Sequence, residues 1–311
     1  MDHRVVVICG PTSSGKTALG VALAKAFDGE VVSADSMQVY RGMDIGTAKP
    51  TAEEMDGVPH HMLDVADPAE DFSVARYVDM AAPIVEDILR RGKRPFLVGG
   101  TGLYIDNLLA GRSFPPFSGK IRQELTARVE EEGLDKLYNQ LGRVDPVRQG
   151  EISPNDEKRI LRALEVFYET DKPMSEWNAE SKTQPPRFEA VRIGLDFQER
   201  AALWARIDAR VDEMMARGLM EEAAGLLRRG VPPTATAMQA IGYKELTAAL
   251  LGHEPPETAA ATVKLRTRQY AKRQLSWFRR EKDTFWVRWE NEPNFSRGLL
   301  NSTAFLKERG I

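Results

Sequence analysis

Residues 5–17 read VVVICGPTSSGKT, an unbroken β-branched run that passes directly into Gly10-x-x-x-x-Gly15-Lys16-Thr17. This is the P-loop pattern, and its context restricts the chain to few folds. A strand with no polar interruption, here residues 5–8, is one buried on both faces, which is the habit of parallel sheets. Good helix formers follow at 18–26. Between strand and helix, Gly10, Pro11, Thr12, Ser13, Ser14 and Gly15 can curl so that backbone N–H groups face an anion, with the positive end of the next helix behind them. Lys16 adds a mobile charge, and the Thr17 hydroxyl is placed to ligate Mg²⁺. A phosphate or diphosphate is expected here. The bland alternative is a plain glycine turn between strand and helix, made less favoured by the strand before the pattern and the helix after it.

Further segments repeat the alternation. Strands are expected at 30–34, 61–65, 95–98 and 190–197, and helices at 75–91, 203–217, 220–229 and 263–282. Strand, helix, strand in sequence implies an α/β fold, a P-loop NTPase-like parallel sheet flanked by helices. From 120 to about 178 only helical periodicity is visible, with helices at 121–132 and 155–170, the second started by Ser153-Pro154-Asn155. Phe114-Pro115-Pro116 and Gln184-Pro185-Pro186 bracket that stretch. The reading is a core domain of residues 1–116 and 188–311 carrying an inserted helical subdomain of residues 117–187. A chain of 311 residues is long enough for both.

Asp35 and Thr101 each stand just after an expected strand, as the P-loop does, and ligands gather at that edge of a parallel sheet. Asp35 is either a turn aspartate or a base beside the bound diphosphate. Thr101 lies among Gly99, Gly100 and Gly102, a backbone able to approach a ligand closely, with a hydroxyl that can donate to a leaving oxygen. His60 and His61 point to opposite faces of a strand and lack a third ligand, so they read as structural or as substrate contacts. The single cysteine, Cys9, excludes an internal disulfide and reads as a small buried side chain. No apolar run approaches a membrane-spanning length, and Met1-Asp2-His3-Arg4 leads straight into the first strand. The expectation is a cytoplasmic protein with no signal peptide.

A net charge of −3 argues against a nucleic-acid partner, but its distribution argues for one. Residues 263–282 hold eight Lys or Arg against one Glu, so the remainder carries about −10. On a helical projection Val263, Tyr270, Ala271, Trp277 and Phe278 form an apolar arc. Lys264, Arg268, Lys272 and Arg279 lie on one flank, and Arg266, Arg273 and Arg280 on the other. The expectation is an outward cationic face that meets nucleic acid, where an ordinary solvated face would mix both signs. Lys158, Arg159 and Arg162 add a second basic cluster.

Six motifs in order carry a specific resemblance: GPTSSGKT at 10–17, DSMQVY at 35–40, GGTGLY at 99–104, RILRALEV at 159–166, QAIGYKE at 239–245 and KRQLSWFR at 272–279. Together they cover nearly the whole chain, which resembles the bacterial tRNA dimethylallyltransferases. Ser13 stands where many members have Ala, and Lys158 where many have Gln. The resemblance implies prenyl transfer from dimethylallyl diphosphate to the exocyclic N6 amine of the adenosine just 3′ of a tRNA anticodon, with Mg²⁺ as cofactor, by a monomer. It makes Asp35 the proton acceptor and Thr101 the partner of the bridging diphosphate oxygen, and it sends Arg210 to the diphosphate. It assigns tRNA contacts to Asp35, Ser36, Met37, Gln38, Thr101, Arg122, Lys158, Arg159, Arg162, Gly242, Tyr243, Lys244, Lys272, Arg273 and Arg279. The inserted subdomain then binds tRNA. Two other readings use the same P-loop: a small-molecule or nucleoside kinase, which leaves the basic helix unexplained, and a non-catalytic RNA-binding ATPase switch, which leaves Asp35 and Thr101 without work.

Overall fold

The computed structural model describes residues 4–112, 114–116 and 119–311. Met1–His3 and the expected start of the insertion at Phe117 lie outside them. The chain divides into two compact units, Met1–Leu109 with Arg187–Ile311, and Ala110–Pro186.

In chain order the strands are β1 (Val5–Cys9), β2 (Gly29–Ser33), β3 (His60–His61), β4 (Arg94–Gly99), β5 (Ala190–Phe197) and β6 (Phe285–Trp289). The helices are α1 (Lys16–Ala26), α2 (Ala52–Met55), α3 (Val74–Arg90), α4 (Gly102–Ala110), α5 (Gly119–Glu132), α6 (Leu134–Val144), α7 (Pro146–Glu151), α8 (Glu157–Thr170), α9 (Met174–Thr183), α10 (Arg200–Ala216), α11 (Leu219–Arg228), α12 (Tyr243–Leu250), α13 (Pro256–Phe278) and α14 (Phe295–Glu308).

The first unit holds one six-stranded sheet in the order β3-β2-β4-β1-β5-β6, every pair parallel. β1 is central, with Val6 opposite Phe96 on one side and Val191 on the other, and all five of its residues are buried. That burial is why the run has no polar residue. β1 and β5 lie side by side while their outgoing connections run to opposite halves of the sheet, towards β2 and β6. A crevice opens at the carboxyl edge between such diverging connections. On the helical layers, α3 buries Tyr77, Val78, Ala81, Ala82, Val85, Ile88 and Leu89 at helical spacing, and its N-cap Ser73 accepts the Arg76 N–H. The Tyr77 hydroxyl donates to the Ser33 carbonyl at 3.0 Å, pinning α3 to the end of β2.

Several local expectations change. The strand read at 61–65 stops at His61, because Met62 and Asp64 take left-handed backbone angles, φ 64° and 56°. The helix read to residue 282 ends at Phe278. α4, α12, β6 and α14 were not expected, and the last two prove to support the P-loop.

The second unit is helical, α5 to α9, around its own core of Leu125, Leu137, Leu141, Ile152, Ile160, Leu161 and Leu164. α8 is capped by Asp156, not by Ser153-Pro154-Asn155; its carboxylate accepts the Arg159 N–H at 3.2 Å. Glu165, fully buried, receives Arg122 at 2.8 Å and Arg162 at 3.0 Å. Arg162 also donates to the carbonyls of Pro115 and Pro116.

Candidate active site

The P-loop bends as its sequence requires. Gly10 has φ 147°, and a Cβ there would stand 2.6 Å from the Leu195 carbonyl oxygen on β5. Ser13 takes φ 62° without being glycine, its side chain is buried, and its Oγ has no hydrogen-bond partner. A buried hydroxyl left unpaired in an anion cradle is a ready donor to a ligand oxygen. The loop is braced from far along the chain. Gln274 Oε1 accepts the Thr12 N–H at 2.9 Å, Trp289 Nε1 donates to the Ser14 carbonyl at 2.9 Å, and Arg206 Nε donates to the Ser13 carbonyl at 3.3 Å. Inside the loop Ser14 Oγ donates to the Pro11 carbonyl at 2.8 Å.

Lys16 opens α1, and its Nζ donates to the Pro11 carbonyl at 2.6 Å. Burial pulls its pKa down to about 8, and the nearby Arg210 pushes the same way while Asp35 opposes. Burial also lowers the Arg210 pKa, again opposed by Asp35. Lys16, Asp35 and Arg210 therefore share one electrostatic neighbourhood. All three line a cavity of about 1230 Å³ at the carboxyl edge of the sheet, together with Thr12–Thr17, Ser36, Met37 and Gln38.

Asp35 is held by its own turn. Its Oδ1 accepts the N–H groups of Met37 at 2.9 Å and Gln38 at 3.4 Å. The turn reading and the base reading are thus compatible, since a carboxylate offers further lone pairs through Oδ2. Ser36 N–H donates to Thr101 Oγ1 at 3.0 Å, and that hydroxyl lies 3.3 Å from Ser36 Oγ, so Asp35, Ser36 and Thr101 form one connected patch. The Gln38 amide is fixed too, accepting from Ser33 Oγ and donating to the carbonyls of Thr47 and Ala48.

Other expectations need correction. The glycines around Thr101 admit protein neighbours. A Cβ at Gly100 would lie 2.2 Å from Gln274 Nε2, and one at Gly102 2.2 Å from the Trp277 ring. α13 docks there, with Gln274 Nε2 donating to the Gly100 carbonyl at 2.9 Å. The outward cationic face is also less bare than its projection. Lys264 pairs with Asp212 at 2.6 Å, Arg268 with Asp208 at 3.5 Å and Arg279 with the buried Asp196 at 2.6 Å. Arg273 does not point away from the P-loop side, because it lines the cavity, as does Tyr270. Burial, helped by Asp35, pushes the Tyr270 phenol up to about 12, against the opposing influence of Thr101, Arg273 and Gln274. Trp277 is half-buried and donates to Asp106 at 2.8 Å, while Arg280 stacks on its ring.

Tyr243 is fully buried with its hydroxyl on Glu222, so its side chain is not a surface contact; Lys244 beside it is exposed, and Gly242 lines the cavity. In the helical unit, Arg122 and Arg162 turn inward to Glu165, whereas Lys158 and Arg159 are exposed. His61 Nε2 meets Glu30 at 2.8 Å and His60 lines the cavity. No group of three or more His, Cys, Asp or Glu suited to a metal occurs among the described residues.

Sequence reasoning missed Arg206, Gln274 and Trp289. Arg206 had a usable signal: it lies four residues before Arg210, on the same helix face. Gln274 and Trp289 reach the P-loop across more than 250 residues, which no local pattern reveals.

A parallel sheet with a phosphate cradle at its switch point, two recessed cations and a carboxylate around one cavity defines an enzyme of the P-loop α/β class. Residues 38–281 match the family described as IPP transferase, and residues 3–69 match isopentenyl transferase. One relative, "tRNA dimethylallyltransferase 1" of Pelobacter propionicus, is 45% identical over 305 residues, covering 98% of each chain. The fold superposes on the full-length tRNA isopentenylpyrophosphate transferase of Bacillus halodurans with a TM-score of 0.74 at 43% identity, covering 99% of this chain and 96% of that one. It also matches a eukaryotic dimethylallyltransferase solved acting on tRNA, with a TM-score of 0.83 at 31% identity, covering 99% and 80%. The chain belongs to the IPP transferase family.

Proposed function

We propose that the protein transfers a dimethylallyl group from dimethylallyl diphosphate to the exocyclic N6 amine of the adenosine 3′-adjacent to the anticodon of tRNA, releasing diphosphate. The observation that carries this reading is the gathering of Lys16, Arg210 and Asp35 around one cavity. An adenine amine inside a stacked loop cannot reach the donor carbon, so the base must be flipped into the crevice. The N6 lone pair forms a bond to C1 of the allyl group as the C1–O bond breaks, and the electron pair leaves on the bridging oxygen. Lys16, Arg210 and the P-loop N–H groups neutralise that charge, with the Thr101 hydroxyl assigned to the bridging oxygen. The N6 proton goes to Asp35, whose Oδ1 is occupied by its turn while Oδ2 serves as acceptor.

A magnesium ion fits the donor set. The Thr17 hydroxyl lines the cavity and has no protein partner among the described residues. One hydroxyl completed by diphosphate oxygens and water is a set Mg²⁺ takes. Bound there, it would supply further charge neutralisation to the leaving group.

For tRNA, the reading uses Ser36, Met37 and Gln38 at the cavity, and the exposed Lys158, Arg159, Lys244, Lys272 and Arg273 as backbone contacts, with the helical unit as a tRNA-binding unit and a monomer as the working form. The kinase reading gives these cations no role. Incubation with unmodified tRNA and either dimethylallyl diphosphate or ATP tests the proposal by mass. A gain of one dimethylallyl group per tRNA is expected with the first donor. Phosphate transfer from ATP, with no prenyl gain, would overturn it.

A further inference from the structure

α10 carries two arginines one turn apart, Arg206 and Arg210, and both line the cavity. They differ in setting. Arg210 is recessed near Lys16 and Asp35. Arg206 stands at the rim, one-third exposed, and its guanidinium is divided between two partners. Nε donates to the Ser13 carbonyl at 3.3 Å, and Nη1 donates to Glu292 Oε2 at 3.0 Å. Ser13 is where the P-loop backbone turns left-handed, so Arg206 is attached to the cradle itself. Glu292 belongs to the loop between β6 and α14; it is 81% exposed, and Asn291 and Glu292 line the same cavity.

This arrangement sets a carboxylate against the rim of an anion site, where a bound diphosphate would repel it. A prenyl diphosphate carries roughly three negative charges once its terminal phosphate is fully ionised. An ion pair to a largely exposed carboxylate is weak. An arginine contact to a phosphate oxygen in a partly dry cavity is charge-assisted and stronger. We propose that Arg206 is a diphosphate-binding residue that exchanges partners. When the donor binds, Nη1 leaves Glu292 for a terminal phosphate oxygen, Nε keeps the Ser13 carbonyl, and Glu292 turns to solvent. Glu292 is then a competitor for the guanidinium, holding it at the rim in the free enzyme and opposing the donor.

The inference rests on the donor assigned above, and the test separates the two. Inorganic diphosphate and dimethylallyl diphosphate are titrated calorimetrically into the full chain and its variants, with unfolding midpoints measured in parallel to confirm that each is folded. Arg206→Gln should weaken diphosphate binding by about tenfold or more, the value of a charge-assisted contact. Glu292→Gln should tighten it by roughly twofold to fivefold, the value of an exposed ion pair. The double variant should bind like Arg206→Gln alone, because the carboxylate acts only through the arginine. If Arg206 merely braced the P-loop, Glu292→Gln would act only by relieving direct repulsion, tightening binding equally with and without Arg206. Equal tightening in the Arg206→Gln background, or no tightening in either, overturns the exchange. A parent protein that binds diphosphate with no tightening in Glu292→Gln removes this inference and leaves the prenyl-transfer reading standing. A parent that binds neither ligand removes both.

Discussion

The Tyr243 hydroxyl donates to Glu222 Oε1 at 2.5 Å, and the same carboxylate accepts the backbone N–H groups of Asp44, Ile45 and Gly46. Three successive N–H groups aimed at one acceptor make an anion nest, filled here by the protein's own glutamate. The loop so fixed lines the cavity, and its next two carbonyls, Thr47 and Ala48, hold the Gln38 amide. Glu222 therefore shapes the wall of the site without touching its chemistry. Tyr243→Phe should cost about 1 kcal/mol, one hydrogen bond to a charged group in a site that keeps three others. Glu222→Ala strands the N–H groups and should cost about 3 kcal/mol. Urea denaturation measures both. Tyr243→Phe should bind tRNA as the parent does, since the ring is buried.

Asp35 tests the reaction itself. Asp35→Asn keeps an oxygen to accept from Met37 and Gln38, so the turn survives, but basicity is lost. Turnover should fall by roughly two to four orders of magnitude, the usual range for a general base. Diphosphate and tRNA binding should stay near the parent's. Single-turnover prenylation of saturated enzyme isolates this step, and a rate within a few fold of the parent would make Asp35 a turn residue only.

Lys16 makes donor binding sensitive to pH. Burial, helped by Arg210, lowers its pKa to about 8, so in the free enzyme the amine is charged below that pH and neutral above it. A bound diphosphate favours the charged form and raises the pKa again. Below pH 8 binding should take up little proton at this site; above pH 8 it should take up as much as one, and affinity should weaken as pH rises. The same shift acts on the fold with a fixed sign. Between about 8 and 10.5 the unfolded lysine holds a proton that the folded one has lost, so its contribution to stability rises with pH across that window. Calorimetry in buffers of different ionisation enthalpy reads the proton uptake, and Lys16→Met should abolish it while weakening diphosphate binding.

The sheet edge was legible because its determinants are local. A buried strand announces itself by its apolar run, and the P-loop, Asp35 and Thr101 each follow such a run directly. The α13 cations were harder to read. Periodicity places Lys264, Arg268 and Arg279 on one flank but says nothing of Asp212, Asp208 and Asp196, which lie 52 to 83 residues earlier in the chain. Tyr243 sits in a motif that looks exposed, with Lys244 next to it, and only packing against Gly46 and Glu222 buries it. The strand β6 and helix α14 were missed, although their Trp289 and Phe295 bear on Ser14 and Gly15. A residue's partner across the fold is not written in its neighbours.

Those pairings divide the basic helix into residues with different expected effects. Lys272 and Arg266 are exposed, and neither has an acidic partner among the described residues. Replacing either by Gln should weaken tRNA binding and reduce the log–log salt slope by somewhat under about one for each phosphate left without its cation. Arg273 lines the cavity, so Arg273→Gln should raise the KM for tRNA and also change turnover. Arg279→Gln leaves Asp196 buried without its cation and should cost roughly 1–2 kcal/mol, less than for a fully buried pair because Arg279 is half exposed. Its salt slope should match the parent's. Titrations at several salt concentrations, run beside chemical denaturation, distinguish these three kinds of effect among the four residues. A lowered slope in Arg279→Gln with parental stability would mean that Arg279 leaves Asp196 to meet the RNA.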